Sequence, residues 1–365
     1  MQALQVLGPS TGGIRVHVAT LAGELERMGV RSAIVGPDGV MDGLGPQSGT
    51  VAVPSGMSPG ALMGARRALR PFRSGSQVVH AHGLKAAWVS LHGRPSRPLV
   101  VTVHNIVLDE SAGRAAELQR RLERFVLGRA DRVIAPTAAI AAGLAATVRP
   151  ERLRTIVPAS PIPVPKRSRE EIRDVIGVGN DTPLVTCVAR LHPQKDLPTL
   201  LHAFALSLAH RGDAHLAVVG DGPERSSVQA MVSSLGISES VHLVGFDSHA
   251  VDWIAAGDVF ALSSVWEAIP LVLAEAMQLG VPTVSTRVGM AEELLGDGRA
   301  GSVVPVGDVD GLAEGLTRFL SDPVERSVAG SVGRQVASSR FDPVALSAEV
   351  LDVYGELVGP IEAVR

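Results

Sequence analysis

A chain of 365 residues with 45% hydrophobic residues is long for one comfortable core, so two domains are expected. A single cysteine, Cys187, excludes an internal disulfide framework, and no His/Cys cluster has zinc-ligand spacing. The net charge of −3 hides an asymmetry, because residues 1–160 carry 19 basic against 10 acidic side chains and residues 161–365 carry 15 against 27. A basic first half suits an anionic partner such as a lipid phosphate or a phosphorylated acceptor, although ordinary solvated surface gives the same count.

The first predicted strand, Ala3 to Gly8, runs into Pro9-Ser10-Thr11-Gly12-Gly13 and then into a helix with Val16, Ala19, Leu21 and Leu25 on its apolar positions. This start has no basic n-region and no long apolar run, so a signal peptide is not expected. No apolar run approaches the roughly 18 residues of a membrane span, so a cytoplasmic protein is expected. Strand Ser32–Val35 follows, then a Gly/Pro/Ser-rich loop with an edge strand at Val51–Val53. The helix from Pro59 to Phe72 presents Arg66, Arg67 and Arg70, with Arg73 just beyond, and no acid. This set would hold an anionic membrane surface and make the protein peripheral on the inner face of the cell membrane. Strand Gln77–Ala81, helix Leu84–His92, strand Leu99–His104, helix Gly113–Arg129, strand Arg132–Ala135 and helix Thr137–Ala146 complete a first β-α-β series.

Four prolines in Pro158–Pro165, followed by the charged run Lys166–Arg173, mark a linker over residues 161–183. A second series has strands Leu184–Ala189, His215–Gly220, Val241–Gly245, Val259–Leu262, Pro282–Thr286 and Gly301–Val304. Helices at about Pro323–Ser338 and Pro343–Leu357 close the chain. The expected architecture is α/β: two Rossmann-like parallel-sheet domains, 1–160 and 184–342. Any ligand would bind in a crevice at the carboxyl ends of the strands.

The most informative stretch is Ser263 to Gly280. A buried strand runs into two serines and then a helix, with Glu267 at its start and Glu275 projecting from the same helix. Free N–H groups at the turn into this helix, where Pro270 suits the first turn, favour an anion, and two carboxylates beside it would bind hydroxyls or a cation. An ordinary capped helix with solvated glutamates fits as well. Arg190 ends a strand and Lys195 follows five residues later. One fork and one point charge there suit a diphosphate, with solvated basic residues as the plain alternative. Gly12-Gly13 allows close backbone approach to a phosphate or forms a tight turn without a ligand. His80 and His82 point to one face of their strand, yet no third ligand has suitable spacing for a metal. His104 is the better candidate for a ligand contact. Asp308-Val309-Asp310 is explained by helix capping rather than metal binding, Cys187 by burial, and Gly220–Glu224 by turn chemistry.

These residues resemble a known family. The second half is similar to the donor domain of retaining glycosyltransferases of family 4, which have the GT-B fold. Glu267 and Glu275 match its E-x7-E motif, and Arg190 and Lys195 match its phosphate-binding pair. Val219–Glu224, Val244-Gly245-Phe246, and Thr286–Gly289 with Glu293 also fit. Gly12-Gly13, Val79–Gly83, Val103-His104 and Ala130–Ala135 match the first domain more loosely. Ala268-Ile269 and Met290 depart from the pattern, and the family's Asn-Gly-Val-Asp is replaced by Pro158–Pro165.

The resemblance implies that Arg190 and Lys195 hold a nucleotide diphosphate, helped by the N–H groups of Gly13, Leu271 and Val272. It implies that Glu275 binds the ribose, Glu267 the sugar, that His104 contacts the reacting centre and that Val244–Phe246 border the nucleobase. The last helix, within 343–365, would return to the first domain. Transfer would keep the anomeric configuration and need no metal or other cofactor. The acceptor would be a cell-envelope lipid or glycan precursor, and no nucleic-acid partner is implied. Two further readings fit the same residues: a UDP-N-acetylglucosamine 2-epimerase-like enzyme and a non-catalytic nucleotide-sugar binding protein.

Overall fold

In the computed structural model, residues 1–9, 13–41, 44, 48–54, 59–91, 95–104 and 113–359 are described. The chain divides into two units, Met1–Pro161 with Phe341–Arg365, and Ile162–Arg340. In the first, strands β1 (Gln2–Leu7), β2 (Arg31–Gly36), β3 (Ser48–Thr50), β4 (Val78–His82), β5 (Leu99–Thr102), β6 (Arg132–Ala135) and β7 (Leu153–Thr155) form a parallel sheet. Their order is β3-β2-β1-β4-β5-β6-β7. Helices α1 (Gly13–Arg27), α2 (Pro59–Gly75), α3 (Leu84–Ser90), α4 (Gly113–Leu127) and α5 (Ala138–Leu144) link the strands. The edge strand lies at Ser48–Thr50 rather than at Val51–Val53, and β7 was not anticipated. β7 has three residues, none of them buried, so it carries no apolar pattern to detect.

The second unit opens with α6 (Arg169–Val175), within the segment expected to be a linker. Ser168 and Glu171 close a capping box, and the α6 side chain Arg173 is fully buried. Arg173 donates to the carbonyls of Ala256, Gly179 and Thr182 and, at 2.7 Å, to the Asp258 carboxylate. A charged run that looks like solvated linker is thus a helix pinned to the second sheet. Its strands are β8 (Leu184–Val188), β9 (His215–Val219), β10 (Val241–Gly245), β11 (Val259–Leu262), β12 (Thr283–Thr286) and β13 (Gly301–Val304), in the order β10-β9-β8-β11-β12-β13. All neighbours are parallel.

Helices α7 (Leu197–Arg211), α8 (Arg225–Ser234), α9 (Ala250–Ala256), α10 (Leu271–Gln278), α11 (Ala291–Leu295), α12 (Val309–Ser321) and α13 (Pro323–Arg340) surround this sheet. Phe204, Leu216, Leu312 and Phe319 are fully buried in its largest apolar cluster. Asp308 caps α12 by accepting from the Gly311 N–H at 2.9 Å, as expected from its position. Finally α14 (Pro343–Val358), capped by Asp342, packs on α1 and β4 of the first unit.

In each sheet the chain reverses its direction of travel once, between β1 and β4 and between β8 and β11. Crevices for ligands form at such switch points, outside the carboxyl ends of the strands.

Candidate active site

At the second switch point, Arg190 and Lys195 follow β8 and Ser263 to Glu267 follow β11. Lys195 Nζ is ion-paired with Glu267 Oε1, and the Ser264 hydroxyl donates to the same oxygen at 2.8 Å. Both charged side chains are largely buried, at 19% and 11% exposure, so the pair is shielded from water. The two loops are also tied through backbone. Ser263 Oγ donates to the Lys195 carbonyl, Gln194 Nε2 to the Trp266 carbonyl, and the Val265 N–H to the Gln194 carbonyl, at 2.7–2.8 Å. Gln194 and Ser264, which sequence reasoning did not single out, therefore fix where the cation and the carboxylate stand. Their adjacency to Lys195 and Glu267 was the available signal.

Glu267 lies in the loop before α10, because the helix begins only at Leu271. Pro270 occupies the cap position, having no N–H to bring Glu267 into the first turn. The two glutamates thus stand on different elements, contrary to the expectation of one shared helix. The carboxylate of Glu275, on α10, accepts no hydrogen bond among the described residues. Burial raises its carboxyl to about 7 although some of its surface remains accessible. No side chain caps the N-terminus of α10, but the Leu271 N–H donates to the Ile269 carbonyl at 3.0 Å. Of the two N–H groups expected to be free, only that of Val272 lacks a partner among the described residues at this positive helix end. Val272 packs in the same apolar cluster as Val188 of β8, so this end lies beside the strand that leads to Arg190.

Arg190 is exposed and makes no ion pair among the described residues. Its backbone, however, is held tightly. A Cβ on Gly220 would lie 2.0 Å from the Ala189 carbonyl oxygen, and one on Gly222 would lie 2.3 Å from that of Leu191. The Gly220-Asp221-Gly222 turn is therefore more than turn chemistry, because only glycine lets it run against the segment carrying Arg190. Val244 and Gly245 close β10, and Phe246 beyond them is 81% exposed. Ala268, where the family carries glycine, has no positive φ, so its methyl group brings no backbone strain. Met290 is buried at the start of α11.

In the first unit Gly13 begins α1, whereas Gly12 lies outside the described residues. His82 ends β4 and His104 stands two residues past β5, both at the first switch point. His17, His80, His82 and His104 are all buried, and burial pulls each imidazole below its ordinary range, His17 to about 4 and His80 to about 3. His80 and His82 do share a face, as their spacing predicts. They bond to Thr102, Tyr354, Gln5 and His104. Cys187 is buried and its thiol is pushed up to about 12 by burial, as befits an inert core residue.

The arginine face expected on α2 is corrected in part. Arg73 is buried and donates to the Ser90 and Pro95 carbonyls, and Arg66 donates to the carbonyls of Trp88 and Val89. Both therefore cap the end of α3, whose last carbonyls lack intrahelical donors. Arg67 and Arg70 alone remain exposed from that set. Among the described residues, no helix is long and apolar enough to cross a membrane.

Residues 168–336 match the family described as Glycosyl transferases group 1, and residues 11–159 match Glycosyltransferase Family 4. The chain belongs to the family 4, group 1 glycosyltransferases. It is 34% identical over 47% of its length to the GDP-mannose-dependent alpha-(1-6)-phosphatidylinositol monomannoside mannosyltransferase of Mycolicibacterium smegmatis, covering 47% of that protein. Similarity to N-acetyl-alpha-D-glucosaminyl L-malate synthase of Bacillus anthracis is 28% over 53% of this chain and 50% of that one. The chain thus spans about half the length of the curated relatives it matches. Among solved structures, Anabaena HepE in complex with UDP-glucose superposes with a TM-score of 0.84 at 23% identity, over 98% of this chain and 100% of that one. Sucrose-phosphate synthase of Thermosynechococcus elongatus gives 0.80 at 21%, over 98% and 99%. The fold of this family 4 protein is GT-B, two parallel-sheet Rossmann-like domains.

Proposed function

We propose that the protein is a retaining glycosyltransferase that moves a sugar from a nucleoside-diphosphate sugar to a cell-envelope glycan or glycolipid precursor. The observation that carries this reading is the shielded Lys195–Glu267 pair, joined to Ser264, at the switch point of the second sheet. In this reading the bond from the anomeric carbon to the diphosphate oxygen breaks and the acceptor oxygen bonds to that carbon on the same face. The acceptor's proton passes to the departing phosphate oxygen. Charge grows on the diphosphate as the bond breaks, and Arg190 and Lys195 neutralise it without a metal. The N-terminus of α10, where the Val272 N–H has no partner among the described residues, adds to that field.

The other carboxylates bind hydroxyls. Glu275 has no partner of its own and a raised affinity for protons, the behaviour of a buried acceptor that lacks donors, and a ribose diol would supply two. Glu267, already held by Lys195 and Ser264, keeps a second oxygen for the sugar. His104 serves the transferred sugar, and Val244 to Phe246 border the base. The acceptor class is supported by the phosphatidylinositol mannoside relative and by a lipopolysaccharide core glycosyltransferase of Rhizobium meliloti, 29% identical over 47% of this chain and 50% of that one.

The test has two stages. UDP-, GDP- and ADP-sugars are screened by thermal shift, since a ligand that binds only the folded state raises its melting temperature. Transfer or hydrolysis of the donor found is then compared in wild type, Lys195→Ala and Glu267→Ala. Loss of one charge-stabilising donor should lower kcat about 100- to 1,000-fold in Lys195→Ala. Equal rates in all three proteins would end this assignment.

A further inference from the structure

The first sheet buries a polar ladder on one face. Gln5 is in register with His80, and His82 is in register with Leu7 and Thr102, so Gln5, His80, His82 and Thr102 project to the same side. His104 continues that alternation beyond β5. Tyr354 of α14 reaches the same layer.

The hydrogen bonds in this layer have a direction. Gln5 Nε2 lies 3.1 Å from the Tyr354 hydroxyl and 3.3 Å from Ser32 Oγ, and Gln5 Oε1 lies 3.0 Å from His82 Nε2. An amide oxygen only accepts, so His82 carries its hydrogen on Nε2. A neutral imidazole has one such hydrogen, which leaves His82 Nδ1 bare. His104 Nε2, 3.3 Å away, must then donate to it. His104 in turn keeps Nδ1 bare, and nothing among the described residues bonds to that atom. The other branch agrees with this polarity. Tyr354 accepts from Gln5 and gives its hydrogen to His80 Nδ1 at 2.7 Å, and His80 Nε2 donates to Thr102 Oγ1 at 2.7 Å.

We propose that Gln5 and His82 are positioning residues that hold His104 in the Nε2-protonated tautomer, so that it meets the transferred sugar through a bare Nδ1 that accepts from a hydroxyl. The role of His104 at the sugar rests on the function proposed above, whereas its tautomer does not. Burial keeps all these rings neutral near pH 7, which the single-hydrogen argument requires. Turning the Gln5 amide over would reverse every tautomer in the layer, so one measurement separates the two arrangements.

The measurement is a long-range ¹H–¹⁵N correlation spectrum of the ring nitrogens in the full-length labelled protein at pH 7. His80, His82 and His104 should each show a protonated Nε2 and an unprotonated Nδ1. A protonated Nδ1 on His104 overturns the proposal whatever the enzyme does. In Gln5→Leu, His82 and His104 should become tautomeric mixtures. Its kcat should fall about tenfold, the usual scale for groups that orient a ligand-binding histidine, with KM for the donor little changed. His82→Asn, whose amide oxygen takes the place of Nδ1, should recover most of the kcat lost in His82→Ala. If the wild type shows the stated tautomers but Gln5→Leu matches its kcat, the positioning role is overturned. If the wild type transfers no sugar at all, the proposed function fails and the spectrum still decides the tautomer.

Discussion

On one face of its sheet the first domain buries a neutral network of Gln5, His80, His82, Thr102 and Tyr354, whereas the second sets ions in pairs around its sheet. Arg173 meets Asp258, Arg167 meets Asp252 and Asp247, and Lys195 meets Glu267. Both solutions satisfy donors and acceptors, but they answer differently to pH. Neutral histidines that burial keeps below their ordinary range add stability above about pH 6.5 and lose it as pH falls toward their folded values. The paired carboxylates Asp247 and Asp252 lose theirs only in stronger acid. For Asp247 the cost of burial is outweighed by hydrogen bonds from Arg167, Trp253 and the His249 N–H, which hold the carboxyl at about 2. Asp252 follows the same balance, burial against Arg167 and backbone N–H groups, and is also held below its usual range.

The strongest way to break this contrast is to remove α14. A chain ending at Arg340 deprives Gln5 and His80 of Tyr354 and uncovers α1, so the first domain should lose its cooperative transition. The second should keep its own, and calorimetry showing both transitions intact would refute this. Acidification comes next. Between pH 7.5 and 5 His17 and His80 should each cost the first domain about 2 kcal/mol, and His82 and His104 add to the loss, less than additively because the rings touch one another. The first domain's melting temperature should therefore drop well ahead of the second's.

Arg173→Leu should destabilise the second domain by about 3 kcal/mol, since it removes the buried donor to Asp258 and to three carbonyls. Urea unfolding of the second domain, with an unchanged first transition, would measure it. The smallest effect sharpens the comparison from the other side. Glu275 has its folded pKa raised by burial to about 7, so its contribution is favourable at low pH and is lost as pH rises through that value. Glu275→Gln should stabilise the second domain by about 2 kcal/mol at pH 8, allowing for its partial exposure, and by about 0.5 kcal/mol at pH 5. His215 and His242, half-buried and pulled below their usual range by burial, offset part of the acid-side gain in both proteins and cancel in the comparison. The same substitution should weaken the thermal shift produced by the nucleotide sugar.

The second sheet was legible because its strands are apolar runs separated by helical periods, and all six fall where the pattern puts them. Arg190 and Lys195 were legible as charges beyond the end of a strand and Glu275 as a residue of the following helix, whereas Glu267 stands in the loop before it. The loop that ties Lys195 to Glu267 was not, because Gln194–Trp266 and Ser263–Lys195 are contacts across about 70 residues of sequence. The segment 161–183 misled through composition, since Arg173 looks solvated until Asp258 is found beside it. Ser168 and Glu171 had the spacing of a capping box and would have revealed α6. On α2, four arginines without an acid suggested one charged face, but a helix distributes such positions around its axis, and two of the four turn inward to α3. In the first sheet the spacing of His80 and His82 gave their common face. Gln5 and Tyr354 lie at opposite ends of the chain, and no local pattern joins them.

That last pairing has a consequence for how the protein is made. Gln5 leaves the ribosome 349 positions before Tyr354. At translation rates of about 5–20 residues per second, the roughly 200 residues between the end of the first sheet and Tyr354 take about 10–40 s to appear. During that interval the second domain, whose residues are contiguous, can close on itself while the first waits with its polar layer unfinished. Of the two domains, the one that is begun first is thus completed last, and its polar layer is the part of the nascent chain that needs protection.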